Sequence, residues 1–335
     1  MYYPYLRGRE AELRALKDLV TNGLLSSNVI PIIEPVTDKA RTVKIIRDIT
    51  DVLSAEQNSG QLAVVLNPGS GISSEKPGLN WCDVLNLKGK AGIIPSFILN
   101  EQAENTKFDF ANTPGKTLGL VVEDSLDFLE SYQGKNLLSR MKAGIIVHPD
   151  ESRFISGVRR VLDTVNCPAG TVLLRDAFHK RRANAEYAED PDEMFSTDHL
   201  LYKAIGYSGF GDYSVVGGAY DGKPGFLPYA VAIHIVYFNE RQQLRIHHFV
   251  SDSNDNNKDT AGKFGEAGEK LLKWCAGRPE LERTKGLTEL INCVEEGAYH
   301  GLSYIKQMCI MHHLELMGSY LGGKRNVVTL QERLF

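Results

Sequence analysis

The sequence predicts an α/β protein: a (β/α)8 TIM-like parallel barrel with a β-hairpin insertion and a C-terminal helical cap. Three observations predict it. Short apolar, β-branched runs such as IPIIEPV, LAVVLNP and AGIIVHP recur along the chain. Strands this uniformly apolar are buried on both faces, as in parallel sheets. Between them lie stretches with apolar residues at helical spacing, and about eight such units fit into residues 1–240, close to the ~250 residues typical of a barrel. No Gly-rich dinucleotide turn follows an early strand, so the usual mark of a doubly wound cofactor domain is missing.

The expected strands are Tyr2–Leu6, Ile30–Val36, Leu62–Asn67, Gly92–Leu99, Thr117–Glu123, Gly144–His148 and Thr171–Arg175. The last barrel strand is either Tyr213–Gly217 or Ala230–Phe238. Helices are expected over Glu10–Val20, where Leu13, Leu16, Leu19 and Val20 share a face, and over Ala40–Leu53, Ser125–Leu138 and Glu151–Val165. Ala230–Phe238 and Leu244–Val250, joined by the polar NERQQ, read as an antiparallel hairpin. A polar turn at Ser251–Thr260 precedes two expected helices, Phe264–Ala276 and a long Leu287–Leu321. The expected organisation is a barrel domain with its hairpin over 1–250 and a helical extension packed on it over 251–335.

Composition narrows the class. Of 335 residues, 42% are hydrophobic and 24% charged, which excludes a disordered or fibrous chain. A net charge of −4 argues against a globally basic nucleic-acid coat but leaves room for a local basic patch. No apolar run approaches the ~20 residues that span a bilayer. The opening MYYPYLRGRE has no apolar core, so no secretory signal is expected. The cysteines Cys82, Cys167, Cys275, Cys293 and Cys309 are scattered without a CxxC pair, as free thiols in a reducing cytoplasm would be.

In a parallel barrel the C-terminal strand ends line the mouth that holds the active site. Here those ends carry Arg7 and Arg9, Glu34, Asn67, Ser96, Glu123 with Asp124, His148, Arg175 with Asp176, Asp212 and His234. The contrast with the apolar strand interiors is the main functional signal. Glu34, Glu123, Asp176 and Asp212 suit a general base or ligands of a hard divalent metal ion. His148 and His234 suit an acid, a base or a metal ligand. Arg7, Arg9 and Arg175 suit an anionic group held by forked hydrogen bonds. The competing reading is an internal salt-bridge network closing the mouth. Two placements follow: Arg7 and Glu34 within pairing reach on one rim, and Asp212, Arg175 and Glu123 around one cavity.

Other motifs are weaker. The basic run His179-Lys180-Arg181-Arg182 follows the seventh strand, where Lys180 and Arg182 could meet phosphate. NPGSG at 67–71 can form an anion-binding nest, or an ordinary loop. GFGDYSVVGG fits neither a P-loop nor a dinucleotide turn, and its glycines suit a tight turn. His247-His248 alternate across a strand and His312-His313 lie about 100° apart on a helix, so neither pair makes a zinc signature.

The opening YYPYLRGREAELRAL followed by IPIIEPV resembles the phage beta-protein family in Tyr3, Pro4, Tyr5, Leu6, Arg7, Arg9, Glu12, Pro31 and Glu34. The block RRANAEY, HLLY, GFGDYSVVG, AVAIHIVYF and HHFVSD resembles a bacterial branch of that family, found beside a predicted restriction-type nuclease. The resemblance implies a barrel acting in phage defence or mobile-element conflict, with a nuclease as partner. It carries over no catalytic residue, and Arg7 stands where lysine is common.

Two function classes remain. One is a hydrolase or lyase for a phosphate-bearing or other anionic ligand, metal-dependent if the carboxylates hold a divalent ion. The other is a non-catalytic ligand- or partner-binding module that works with a nuclease. The binding partner is a phosphate-bearing small molecule or nucleic acid, with no membrane. The two classes separate on whether the ionisable strand ends open onto a pocket or pair with one another.

Overall fold

The computed structural model describes residues 1–55, 59–71, 79–112, 117–122, 125–220 and 227–323. Parallel strands follow one another around a barrel: β1 (Tyr5–Leu6), β2 (Ile32–Ile33), β3 (Leu62–Val65), β4 (Ile93–Ile98), β5 (Leu118–Leu120), β6 (Ile145–Pro149) and β7 (Gly170–Arg175). A further short strand, β8 (Asp192–Ser196), leaves the barrel, and β9 (Gly209–Asp212) is its eighth member. The ring closes through Tyr2, which bridges both Val29 and Phe210. At this seam the Tyr3 N–H donates to Phe210 O at 2.8 Å and the Phe210 N–H to Met1 O at 3.2 Å.

Alternation of side chains sorts the strand residues into two sets. Tyr3, Tyr5, Ile30, Ile32, Ala63, Val65, Ile98, Leu118, Leu120, Val147, Val172 and Leu174 fill the interior. Their neighbours face outward: Leu6, Ile33 and Val64 pack on Leu13, Leu16, Ile46 and Ile49 of the helices Glu10–Thr21 and Ala40–Leu53. Phe97 and Ile146 pack likewise on Leu137, Phe154 and Val158.

Neither run expected for the last barrel strand forms it. GFGD does, because glycine is what its inner face admits. A Cβ on Gly211 would lie 2.2 Å from Tyr3 O, and one on Gly209 would lie 2.7 Å from the Tyr3 ring. The segment Tyr213–Gly217 is instead a turn, with Ser214 at φ 52° and Gly217 at φ 79°.

Ala230–Phe238 belongs to the hairpin, as β10 (Ala232–Phe238) paired antiparallel with β11 (Leu244–Val250). The polar β8 adds to β11 as a third strand that the sequence pattern did not single out. Three long helices follow: Thr260–Ala276, Lys285–Glu295 and Leu302–Leu321. The expected single helix over 287–321 is thus broken, at a turn where Gly297 and Gly301 both have positive φ.

Helix Leu302–Leu321 is buried on almost every side, which explains why it lacks one apolar stripe. It lies between helix Glu10–Thr21 and β10. Gln307 Nε2 donates to Asp18 Oδ2 at 2.7 Å on one side. On the other, the His312 Nε2–H donates to Val236 O at 2.7 Å, while its Nδ1 accepts from Thr284 Oγ1 at 2.7 Å. His312→Leu orphans both partners, so a loss of about 2–3 kcal/mol is expected in urea unfolding.

Candidate functional site

Tyr5 and Arg7 continue the inner set of β1, and Glu34 continues that of β2. The Glu34 side chain is 0% exposed. Its Oε1 accepts the Gly69 N–H at 2.8 Å and the Ser70 N–H at 2.9 Å. Its Oε2 accepts Tyr5 OH at 2.9 Å and pairs with Arg7 Nη1. The NPGSG nest is therefore real, and the anion it holds is the chain's own carboxylate. The expected Arg7–Glu34 pairing is present.

Arg7 is held from all sides. Its Nη2 donates to Gly218 O at 2.9 Å and its Nη1 to Ser70 Oγ at 3.3 Å. The guanidinium carbon lies 5.1 Å from the Tyr5 ring and 5.7 Å from the Tyr213 ring, in cation–π range. The buried Nε has no hydrogen-bond partner. The Gly218 N–H in turn donates to Asp176 Oδ2 at 2.8 Å, so Glu34, Arg7 and Asp176 are linked in one chain. Burial pushes the Tyr213 hydroxyl up to about 12 and raises Tyr5 well above 10, with Glu34 reinforcing both. Both phenols are neutral in the folded protein.

Beside this network a cavity of about 340 Å³ opens at the C-terminal strand ends. Tyr5, Arg7, Leu120, Val121, Val122, Val147, Pro149, Glu151, Phe154, Leu174 and Tyr213 line it. It sits at the low end of the ~300–1,000 Å³ typical of small-ligand sites.

The other expected site residues do not join it. Asn67 is buried and extends the β3–β4 ladder: its Nδ2 donates to Ile98 O at 2.8 Å and its Oδ1 accepts the Ile98 N–H at 2.9 Å. His148 points out of the barrel, donating from Nδ1 to Pro149 O at 2.9 Å, and burial lowers its pKa. Arg175 pairs outside the interior with Asp150 and, at 3.1 Å, with Asp198. Glu123 lies outside the described residues.

Asp212 is 4% exposed and faces the C-terminal helix, not the mouth. Its Oδ1 accepts Tyr2 OH and the Ser214 N–H, both at 2.7 Å. Burial pushes its pKa up to about 7. His313, pushed down to about 3 by burial, accepts from Ser214 Oγ at Nδ1 (3.0 Å) and meets Tyr2 OH at Nε2 (3.5 Å). The expected cavity shared by Asp212 and Arg175 is thus corrected: the two occupy outward positions of their strands, and neither lines the mouth.

His234 stands in the accessory sheet. Its Nδ1 lies 2.7 Å from His248 Nδ1, and His248 Nε2 donates to Glu193 Oε1 at 3.2 Å. Arg9 starts helix Glu10–Thr21, where its N–H donates to the buried Glu12 at 2.8 Å. Lys180 and Arg182 are exposed on the loop after β7.

The metal expectation does not fit these residues. Glu34, its central carboxylate, already accepts from four donors. Among the described residues no group of three or more His, Cys, Asp or Glu is placed to hold a metal ion. Sequence reasoning missed Tyr5, Val122, Pro149 and Tyr213. The signal for Tyr5 was available in the alternation Tyr3-Tyr5-Arg7.

Fold and mouth together define the class: a TIM-like α/β barrel in which Arg7 and Glu34 pair at the rim beside a small cavity of mixed polar and apolar lining. No model of a known protein family matches the chain, and no curated protein matches it in sequence. Among the described residues no helix is long and apolar enough to cross a membrane.

Proposed function

We propose that the barrel is a non-catalytic binding module for a small organic anion with an apolar or aromatic body. The observation that carries this is Glu34. A general base or metal ligand needs a free lone pair facing the ligand, and both Glu34 oxygens are occupied by donors from the fold. The cavity is lined by a cation, two neutral phenols, aliphatic side chains, Phe154 and the Glu151 carboxylate. The Arg7 guanidinium, which lines the cavity, supplies the positive charge for a carboxylate or phosphoryl group. The family resemblance would give such a module a nuclease partner in defence against phage.

The test uses p-nitrophenyl phosphate and benzoate, with binding read by calorimetry and turnover by nitrophenolate release, with and without magnesium. Saturable binding without release is expected. Val122→Trp, which fills the cavity from its exposed rim, should weaken binding more than about tenfold. Nitrophenolate release at a rate that this variant lowers would overturn the reading in favour of a hydrolase.

A further inference from the structure

Helix Thr260–Ala276 packs against β11, and side chains of both line a cavity of about 380 Å³. On the strand, alternation puts His247 and Phe249 on one face, with ring centroids 4.5 Å apart. On the helix, Lys270, Lys273 and Trp274 fall at i, i+3 and i+4, which places them side by side. The indole completes an aromatic wall, 5.2 Å from the His247 ring and 5.5 Å from Phe249. The Arg278 guanidinium carbon rests 4.3 Å from the indole centroid and holds that ring in place. All five of these strand and helix residues line the cavity, and none lines the barrel mouth.

The charges around this wall have one sign. Among the described residues no Asp or Glu lines the cavity. Lys273 is exposed and makes no hydrogen bond or ion pair among the described residues. Lys270 Nζ donates to Val250 O and to Asp252 Oδ1, both at 2.6 Å, which leaves one ammonium hydrogen over. His247 stands opposite Asp192 in the β11–β8 ladder, with its Nδ1 2.9 Å from Asp192 Oδ2. Burial raises the pKa of Asp192, but hydrogen bonds from His247, Tyr237 and Arg245 outweigh it and bring it down to about 2. The ionised carboxylate therefore accepts the Nδ1–H and fixes the imidazole plane. Nε2 is the ring nitrogen left without a partner among the described residues, a polar position in a largely apolar wall.

We propose that this cavity is a second binding site, for a small flat aromatic acid whose ring packs on His247, Phe249 and Trp274 and whose anionic group meets Lys273 and Lys270. A concave aromatic wall with a few charged groups at its edge is the usual make-up of a small-ligand site, and about 380 Å³ holds one or two fused rings. The wall is preorganised, since Asp192 and Arg278 already fix two of its three rings. No residue is shared with the mouth cavity, so this site stands or falls independently of the function proposed above. An aromatic carboxylate and an aryl phosphate share the recognised chemistry.

Trp274 is one of only two tryptophans, the other being the core residue Trp81, so it can report on its own site. The experiment labels the full-length chain with 5-fluorotryptophan, assigns the two fluorine resonances with Trp274→Phe, and titrates at low salt with 2-naphthoate, 2-naphthyl phosphate and the uncharged 2-naphthamide. The Trp274 resonance is expected to shift saturably with either acid while that of Trp81 stays, and the amide should bind at least about fivefold more weakly. Lys273→Glu, an exposed change that spares the fold, should weaken the acids at least about fivefold, and Lys273→Arg should retain them. Lys44→Glu, which removes an ammonium paired with Asp48 at 3.0 Å on another face, should leave binding unchanged. Tighter binding of the naphthoate assigns the site to a carboxylate, and of the naphthyl ester to a phosphate. A Trp274 resonance that stays still up to about 10 mM, an amide that binds as tightly as the acids, or equal weakening by Lys44→Glu and Lys273→Glu would overturn the proposal. Binding seen by calorimetry with an unmoved Trp274 resonance would overturn this site and leave the one at the mouth standing.

Discussion

Replacing Glu34 with alanine is expected to lower the stability of the fold by about 3–5 kcal/mol, the range for stranding one partner of a buried ion pair. The reason lies in what the carboxylate gathers. Its removal leaves the Arg7 guanidinium, whose side chain is 18% exposed, without its counter-charge. It also strands Tyr5 OH and the amides of Gly69 and Ser70. The nest is itself fixed in shape, since Gly71 sits at φ 66° where a Cβ would meet Val36 O at 2.2 Å. The measurement is urea unfolding followed by circular dichroism. A double change, Glu34→Leu with Arg7→Met, removes both charges and should cost less than the single change. A loss below about 1 kcal/mol for Glu34→Ala, the size of an exposed pair, would refute the keystone role of this carboxylate.

The second large effect has the opposite sign. Asp212→Asn is expected to stabilise the protein at pH 8 and to do so progressively less as the pH falls. The folded carboxyl has its pKa pushed up to about 7 from an ordinary 3.8. The folded state therefore holds a proton that the unfolded chain releases. Stability is complete below about 4 and is lost as the pH rises towards 7. That gap sets a ceiling of about 4 kcal/mol, before any relaxation around the buried charge. Asparagine keeps the acceptor for Tyr2 OH and the Ser214 N–H and does not titrate. Thermal midpoints of both proteins from pH 4 to pH 8 should converge at the acid end. Parallel midpoints across the range would show that Asp212 is ionised at no cost.

The barrel was legible because its strands are apolar on both faces, and the Arg7–Glu34 pair because two strand ends met at one rim. What the sequence blurred was parity. A polar residue near a strand end looks the same in sequence whichever face it occupies. Arg7, Glu34 and Asp176 fall in inward positions, whereas His148, Arg175 and Asp212 fall in outward ones, and a single step along a strand reverses the side. β9 escaped notice for a different reason. Its inner positions are glycines, and the space they vacate is filled by Tyr3 from the neighbouring segment across the seam. A strand defined by what it lacks carries no hydrophobic pattern. The cluster of Tyr2, Asp212, Ser214 and His313 was hidden in the same way, since its members are brought together only by the docking of helix Leu302–Leu321.

The seam at Tyr2 sets a timetable for the nascent chain. Its partners, Phe210 across the seam and His313 behind it, are made more than two hundred residues after it. At about 5–20 residues per second, Met1–Tyr3 emerges at least ~10–40 s before β9 exists to receive it. Through that interval the first strand can pair with β2 but has an open edge on its other side. Ring closure is consequently a late event with high contact order, and slow folding follows from topology alone. A chaperone that shields an N-terminal strand edge during translation would raise the yield of folded protein more than one that acts on the released chain.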